Sequence, residues 1–436
     1  MRFRVGREAL GEAVAFVSRA LPARPVVPLL SCMLIEVADN GLTLSCFDYE
    51  VSARCTVEAE ILEPGSALVP GRLLAEITRS LPGRPVEFSD EADVLNLVCG
   101  SAEFGLVCLP MEEYPALPDS PPPVGAVDGG LLAAAVGQVA PSASRDDTLP
   151  MLTAVCLDID GDSLTLAATD RYRLAARVLP FTPADPQVRA IALVPARIMA
   201  EAARMMSAGT PVTLAFSTER DWARGSVRAG RSAGDAVGDD QPRPAEGLIS
   251  FAAGHRRLTA RLIGGEFIKY QSRFAGDFSC HADLQPGPMI EAVRRAALVA
   301  ERAGPVRLSF GDGEVVIEAH AEGRARAAET VSAEFVGDQP MIAFSPSYLL
   351  DGLLAAASVG GADQVPTSAS ASAAAQGGQA AESGRIRLDF NTPAKPALIT
   401  WVSEGSADGS ADGSDGDEDV PAFRYLLVPL RLPERG

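Results

Sequence analysis

The chain has 436 residues, a formal net charge of −19 and 47% hydrophobic residues. That length suits about three domains, each able to bury its own core. The acidic balance excludes a protein coated in basic patches but leaves room for one positive face. Arginine must supply that face, because Lys269 and Lys395 are the only lysines.

The chain opens on a predicted strand at Arg2–Val5, then a helix from about Glu8 to Ala20 with Leu10, Val14 and Val17 at helical spacing. Alternating segments predict strands at Met33–Ala38, Leu42–Cys46 and Val51–Glu58. Next comes Ala67-Leu68-Val69-Pro70-Gly71-Arg72-Leu73-Leu74-Ala75-Glu76, a strand, a proline suited to a first helical turn and an amphipathic helix. Strands near Val86–Phe88, Val94–Cys99 and Glu103–Leu109 complete two βαβββ halves. Leu117–Pro123 reads as a stiff linker.

A second unit repeats the order. Its helix covers about Gly129–Val139, and its strands are Thr153–Ile159, Ser163–Ala168 and Arg173–Leu179. Ala192-Leu193-Val194-Pro195-Ala196-Arg197-Ile198-Met199-Ala200-Glu201 then restates the earlier phrase, and strands resume after Pro211. In the third unit, from about Ser279, a helix covers Pro288–Arg302 and strands lie near Val306–Phe310, Glu314–Ala319 and Arg324–Val331. Its weaker copy of the phrase is Ile342-Ala343-Phe344-Ser345-Pro346-Ser347-Tyr348-Leu349-Leu350-Asp351. The three prolines stand 125 and 151 residues apart, so the repeat is a whole domain. The expected domains are 1–120, 124–278 and 279–436.

Stretches at about 228–247, 362–384 and 403–420 cannot bury an apolar face and read as disordered insertions. The last carries regularly spaced Asp but lacks an EF-hand's ligand spacing and closing Glu, so it reads as a solvated acidic loop. The seven cysteines form no C-x-x-C pair and read as free buried thiols in a reducing cytosol. No signal peptide or long apolar span is evident, so the expected location is cytoplasmic and off the membrane.

Catalytic candidates are weak. Gly264-Gly265-Glu266-Phe267 resembles a truncated diguanylate cyclase signature but follows an alternating strand and reads as a turn closing a β-hairpin. His255, His281 and His320 are isolated, Asp170 and Arg171 lack a nucleophile or metal partner, and no Gly-Lys dipeptide exists for a phosphate loop. Neither an active site nor a metal or cofactor site is expected.

Five strings in order resemble the bacterial DNA polymerase III beta subunit family, the beta sliding clamps. They are Arg24-Pro25-x-x-Pro28-Leu29-Leu30, Leu149-Pro150-Met151-Leu152-Thr153, Ala168-Thr169-Asp170-Arg171-Tyr172-Arg173-Leu174-Ala175, Phe344–Asp351 and Tyr425-Leu426-Leu427-Val428-Pro429-Leu430-Arg431-Leu432. The resemblance implies an α+β fold of three repeated clamp domains, with helices lining a pore and antiparallel sheets outside. It also implies a head-to-tail homodimeric ring, opened by a clamp loader, that holds double-stranded DNA without sequence preference. Such a ring is a non-catalytic processivity factor for DNA polymerase III and other clamp-binding proteins.

The sites follow from the same resemblance. DNA contacts are expected from Arg24 and Arg145 in loops, and from Arg72, Arg79, Arg197, Arg204, Arg294 and Arg295 on helices, where Arg7, Arg19 and Arg302 also lie. The peptide-binding cleft is expected at Leu152, Thr169, Arg171, Tyr172, Arg173, Leu174, Ile268, Ser347, Leu426, Leu427, Val428, Pro429, Leu430 and Arg431. Its floor is expected from Leu152, Leu174, Leu427 and Val428, with Arg173 and Arg431 at the rim. Phe104 and Leu106 match one dimer edge, and Leu298 and Val299 match the helix facing it. The chain departs from the family at Phe267-Ile268-Lys269-Tyr270, where Phe-Pro-Asp-Tyr is usual, and Pro433–Gly436 extend past the usual end. A paralogous clamp serving as an interaction scaffold, with altered partner or inhibitor specificity, is the alternative reading. An enzyme built on the same repeats would need a polar cluster that the chain lacks.

Overall fold

A computed structural model describes residues 1–38, 41–206, 209–216, 247–276, 278–300, 304–321, 323–338, 341–362, 384–403 and 421–431. The bodies of the three predicted insertions, Arg302 and Pro433–Gly436 lie outside the described residues.

In the first repeat the elements are β1 (Arg2–Val5), α1 (Arg7–Val17), β2 (Cys32–Ala38), β3 (Gly41–Phe47), β4 (Val51–Val57), β5 (Ala59–Glu63), β6 (Gly65–Pro70), α2 (Gly71–Ser80), β7 (Val86–Glu91), β8 (Val94–Cys99) and β9 (Ala102–Val107). The second holds β10 (Pro123–Asp128), α3 (Gly129–Val139), β11 (Ala154–Asp160), β12 (Ser163–Thr169), β13 (Arg173–Pro180), β14 (Thr182–Pro183), β15 (Arg189–Pro195), α4 (Ala196–Ala203), β16 (Pro211–Phe216), β17 (Leu248–Ala253) and β18 (Arg256–Arg261). A short helix α5 (Gln271–Phe274) sits in the connector to the third. There follow β19 (Cys280–Leu284), α6 (Pro286–Val299), β20 (Val306–Gly311), β21 (Glu314–Ala321), β22 (Ala325–Val336), β23 (Met341–Phe344), α7 (Pro346–Ala362), β24 (Gly384–Phe390), β25 (Ala397–Ser403) and β26 (Phe423–Leu427).

The described chain forms two compact units. One comprises residues 1–129, 182–188 and 204–262, and the other 130–181, 189–203 and 263–436. The first holds a five-stranded sheet, β5-β1-β7-β8-β9, and a nine-stranded sheet, β14-β10-β16-β17-β18-β4-β3-β2-β6. The second holds one twelve-stranded sheet, β15-β11-β12-β13-β26-β25-β24-β19-β22-β21-β20-β23. The middle repeat is shared because its outer strands are stitched to both neighbours: β18 pairs with β4, and β13 pairs with β26.

Local chemistry explains the elements. α1 buries Leu10, Ala13, Val14 and Val17, one face at helical spacing, against α2, β3 and β4. Phe3 stacks on Phe88 across β1 and β7, with centroids 4.6 Å apart. α7 lies so close to the sheet that a Cβ on Gly352 would stand 2.6 Å from the Tyr425 ring, so glycine is required there.

Several expectations change. Pro70 and Pro195 end their strands and Pro70 caps α2; only Pro346 is a first helical residue. β5, missed as a separate strand, adds an edge beside β1. β22 runs past Val331 to Val336 because its last residues change partner from β21 to β19. Gly264-Gly265 closes no hairpin. After β18 the chain leaves its sheet, Gly265 takes φ +116°, and Ile263 N–H donates to the Leu193 carbonyl at 2.8 Å, starting the connector.

Candidate peptide cleft and nucleic-acid-facing arginines

The turn between β12 and β13 sets the cleft. Asp170 Oδ1 accepts from the backbone N–H of Tyr172 and of Arg173, both at 3.0 Å, an Asx turn that leaves Arg171 at φ +80°. Thr169 Oγ1 donates to the Arg173 carbonyl at 2.6 Å and accepts from Arg171 N–H at 3.1 Å. Arg171 is thereby held out into solvent and Tyr172 stays half-exposed, stacked on Tyr348 at 6.4 Å. The terminal strand is tied in by Val428 N–H to the Tyr172 carbonyl, 2.9 Å, and Leu430 N–H to the Ala343 carbonyl, 2.7 Å.

Alternation then sorts the side chains. Leu174, Leu426 and Leu398 lie in register on one face and share a cluster with Tyr270 and Phe274, against which Met151, Phe267 and Phe278 pack. Tyr425, Leu427 and Arg173 belong to the other face. Leu427 is 0% exposed, so it is core and not cleft floor, whereas Val428 is 37% exposed beside Leu426. The candidate floor is the nearly buried pair Leu174 and Leu426 with exposed Val428 beside them, and Leu152 is likewise buried in the turn before β11. Ile268 is exposed, Ser347 is exposed with its Oγ 3.2 Å from that of Ser345, Pro429 is buried, Leu430 half-buried and Arg431 exposed.

Arg173 leaves the rim altogether. Its buried guanidinium bonds Asp170 at 3.0 Å, Asp351, the Pro141 carbonyl and Tyr425 Oη at 3.5 Å, and lies 4.3 Å from the Tyr348 ring centroid. Burial alone would lower its pKa, but Tyr425, Asp351 and Asp170 more than reverse this and raise it. All three of its guanidinium nitrogens are engaged inside the protein. Asp351, Tyr348 and Pro141 gave no local signal of this partnership, because they meet Arg173 only in the fold.

The connector forms one wall. Tyr270 Oη donates to Asp158 at 2.7 Å, beside Gln271 Nε2 at 2.9 Å, and burial raises both the Tyr270 and Asp158 pKa values. Arg424, two residues before Leu426, lies 4.5 Å from the Phe274 ring centroid.

The expected DNA-facing arginines are all exposed, but many are braced. Arg72 donates to the Pro22 carbonyl at 2.8 Å, steadying the loop that carries exposed Arg24. Arg79 Nε bonds its own helix at Ala75, and Arg7 reaches the Arg79 carbonyl at 3.4 Å. Arg294 pairs with Glu291 at 2.6 Å, and Arg295 forks onto Glu329 at 2.6 and 2.8 Å. Arg145, Arg197 and Arg204 stand on a loop, on α4 and just after it.

At the expected dimer edges, β9 is a sheet edge, but Leu106 is 1% exposed and packs inward. The outward neighbour is Val107, at 64%, and Phe104 is half-buried. Leu298 on α6 is 86% exposed and Val299 half-buried. Among the described residues, no cluster of His, Cys, Asp and Glu could hold a metal, and no helix is long and apolar enough to cross a membrane.

Comparison with known proteins agrees with this architecture. Family models of the DNA polymerase III beta subunit match in succession: the N-terminal domain at residues 1–118, the central domain at 126–269 and the C-terminal domain at 274–359. A Streptomyces coelicolor beta sliding clamp is 44% identical over 99% of this chain and 100% of its own length. A beta sliding clamp homolog, GriR, of Streptomyces muensis is 39% identical over 81% of this chain and 88% of its own. Among solved structures, the Bacillus subtilis DNA polymerase sliding clamp superposes with a TM-score of 0.77 at 22% identity, covering 99% of this chain and 100% of that one. A Pseudomonas aeruginosa sliding clamp solved bound to griselimycin gives 0.77 at 23%, with the same coverage. These structures speak to the fold. The chain belongs to the DNA polymerase III beta subunit family, the beta sliding clamps.

Proposed function

We infer that this protein is a cytoplasmic, non-catalytic processivity factor. It forms a head-to-tail homodimeric ring, is opened by a clamp loader, encircles duplex DNA and tethers DNA polymerase III and other proteins through the cleft at Leu174, Leu426 and Val428. Its domains are 1–120, 124–278 and 279–436. The observation that carries the reading is a strand junction used twice. The last strand of the second repeat, β18, pairs with β4 of the first, and the last strand of the third, β26, pairs with β13 of the second. Two ends of this scheme stay open. β9 is an unpaired edge, and among the described residues Ala325–Ser332 of β22, the counterpart of β4 and β13, pair only with β21. A second copy supplies β9 to β22, and the reciprocal pairing closes the assembly after two subunits.

The ring reading is tested by loading the protein onto nicked circular duplex with its clamp loader and then raising salt. Retention should persist at salt that abolishes equilibrium binding and should vanish when the circle is linearised. Equal retention on both forms would refute topological linkage.

The match to a clamp homolog, together with Ile268 and Lys269 on the connector, supports the second reading, a paralogue with altered partner or inhibitor preference. Titration of one clamp-binding peptide against wild type and Ile268→Pro separates the two. Changed ranking among peptides favours the paralogue, and unchanged ranking the replicative clamp.

A further inference from the structure

The cleft is lined by four described stretches besides β13: the loop before β11, the connector at 263–276, the start of α7 and the terminal segment 423–431. Asp170 and Asp351 on these walls are both committed to Arg173. What remains is Arg145, Arg171, Lys269, Arg273, Arg424 and Arg431, against Asp146, Asp147, Asp158 and Glu266 and the one carboxylate charge that Arg173 leaves over from its two partners, a balance of six to five. A local excess of positive charge is unusual in a chain whose net charge is −19, and it includes one of only two lysines.

Placement makes the excess usable. Lys269 and Arg273 are exposed on either side of Tyr270, whose ring and hydroxyl are locked into the cluster and onto Asp158. Arg171 is projected by the left-handed turn, close enough to Asp146 to help hold that carboxyl below its usual range, chiefly set by Thr148. Arg424 supplies an independent sign. Its Nε is buried without a hydrogen-bond partner, its guanidinium contacts the Phe274 ring, and burial lowers its pKa. A positive charge left uncompensated beneath the wall is stabilised by an anion arriving above it.

We propose that the cleft selects apolar peptides whose anchor residues are flanked by aspartate or glutamate, with Lys269 and Arg273 reading the flank on the connector side and Arg171 and Arg431 reading it on the turn and terminal segment. This rests on the peptide-cleft reading above and names the chemistry of its ligand. The apolar row supplies depth, and the cations supply preference and faster encounter.

The test uses the full-length dimer and three labelled peptides that share one leucine- and phenylalanine-containing anchor. Their flanks carry Asp and Glu, Asn and Gln, or Lys. Wild type should bind the acidic version on the order of tenfold more tightly than the neutral one at low salt, because each rim pair adds only a modest gain. The preference should shrink as salt rises. K269E/R273E should lose or invert it, with a smaller change in affinity for the neutral peptide, and R4E, on β1 of the first repeat, should retain it. Equal affinity of wild type for acidic and neutral flanks, or a preference untouched by K269E/R273E, overturns the proposal. If the neutral peptide binds and flanks do not matter, only this inference falls. If no peptide binds, the cleft reading falls with it.

Discussion

At Arg173 a buried guanidinium grips Asp170 from its own turn and Asp351 from α7, so one side chain fastens the second repeat to the third. Removing it strands the buried Asp170 carboxylate, whereas Asp351 is 40% exposed and stays solvated, and the loss costs about 3 kcal/mol. Arg173→Ala should therefore lower Tm sharply. Arg173→Lys should recover little, because a lysine cannot reach Asp170, Asp351 and the Pro141 carbonyl together; thermal melts of the three proteins decide this. Asp389 offers a milder case. On β24 its carboxyl is pushed up to about 6 by burial, against partial compensation from Arg387, which is itself forked onto Asp283. The folded state thus binds this proton more tightly than the unfolded chain, whose carboxyl titrates near 3.9. The associated stability is complete below about pH 4 and is lost as pH rises through about 6. Asp389→Asn should raise Tm at pH 7.5, and the gain should fade as pH drops from 6 to 4. A gain that is independent of pH would contradict this assignment.

Among the elements, β26 shows how a period of two divides labour. Leu426 joins the apolar cluster of the proposed cleft and Leu427 is fully buried, in successive positions. Leu427→Asp would bury a charge and unfold the region, so it says nothing about binding. Val428→Asp keeps the fold and removes an anchor worth about 1.5–3 kcal/mol. It should weaken a clamp-binding peptide by roughly tenfold or more in a fluorescence titration, with the dimer intact. The edges of β9 and β22 lead to a matching pair of variants. Leu298→Asp and Val107→Asp both alter strongly exposed side chains, so each should give a folded monomer. Sedimentation should show this while far-UV circular dichroism stays unchanged. A wild-type protein that sediments as a monomer at micromolar concentration would overturn the closure by β9 and β22.

For the whole molecule, the charge distribution suits a ring that holds DNA by topology. Arg72 is braced by a backbone carbonyl, and Arg294 and Arg295 are ion-paired at the surface, so these three guanidiniums meet phosphate at the expense of an existing partner. Equilibrium affinity for a linear duplex should be weak and indifferent to sequence. Its logarithm should fall with the logarithm of salt at a slope matching on the order of a few phosphates. A steep slope in an anisotropy titration would mean that the braced arginines are freely available.

The repeated phrase, the helix positions and the alternating strands were legible in the sequence, because hydrophobic period and the prolines that punctuate strand and helix are local properties. The five matching strings carried the family. Arg171, Tyr172, Leu174, Leu426 and Val428 could be named as cleft candidates because two of those strings contain them. What stayed hidden was which side each residue turns. Leu106 and Leu427 are as apolar as Val107 and Val428, and a strand's own residues do not say which face a neighbouring repeat will cover. Arg173 had the same limit. Its sequence marks a long cation on a turn, but its partners stand 178 and 32 residues away at Asp351 and Pro141 and become neighbours only when β13 pairs with β26. Periodicity and motif thus determined the repeats, the family and the residues proposed for the cleft. The pairing of strands across repeats decided which side chains are core, which are wall and which charges remain unspent, because burial and ion pairing belong to surfaces brought together from distant parts of the chain.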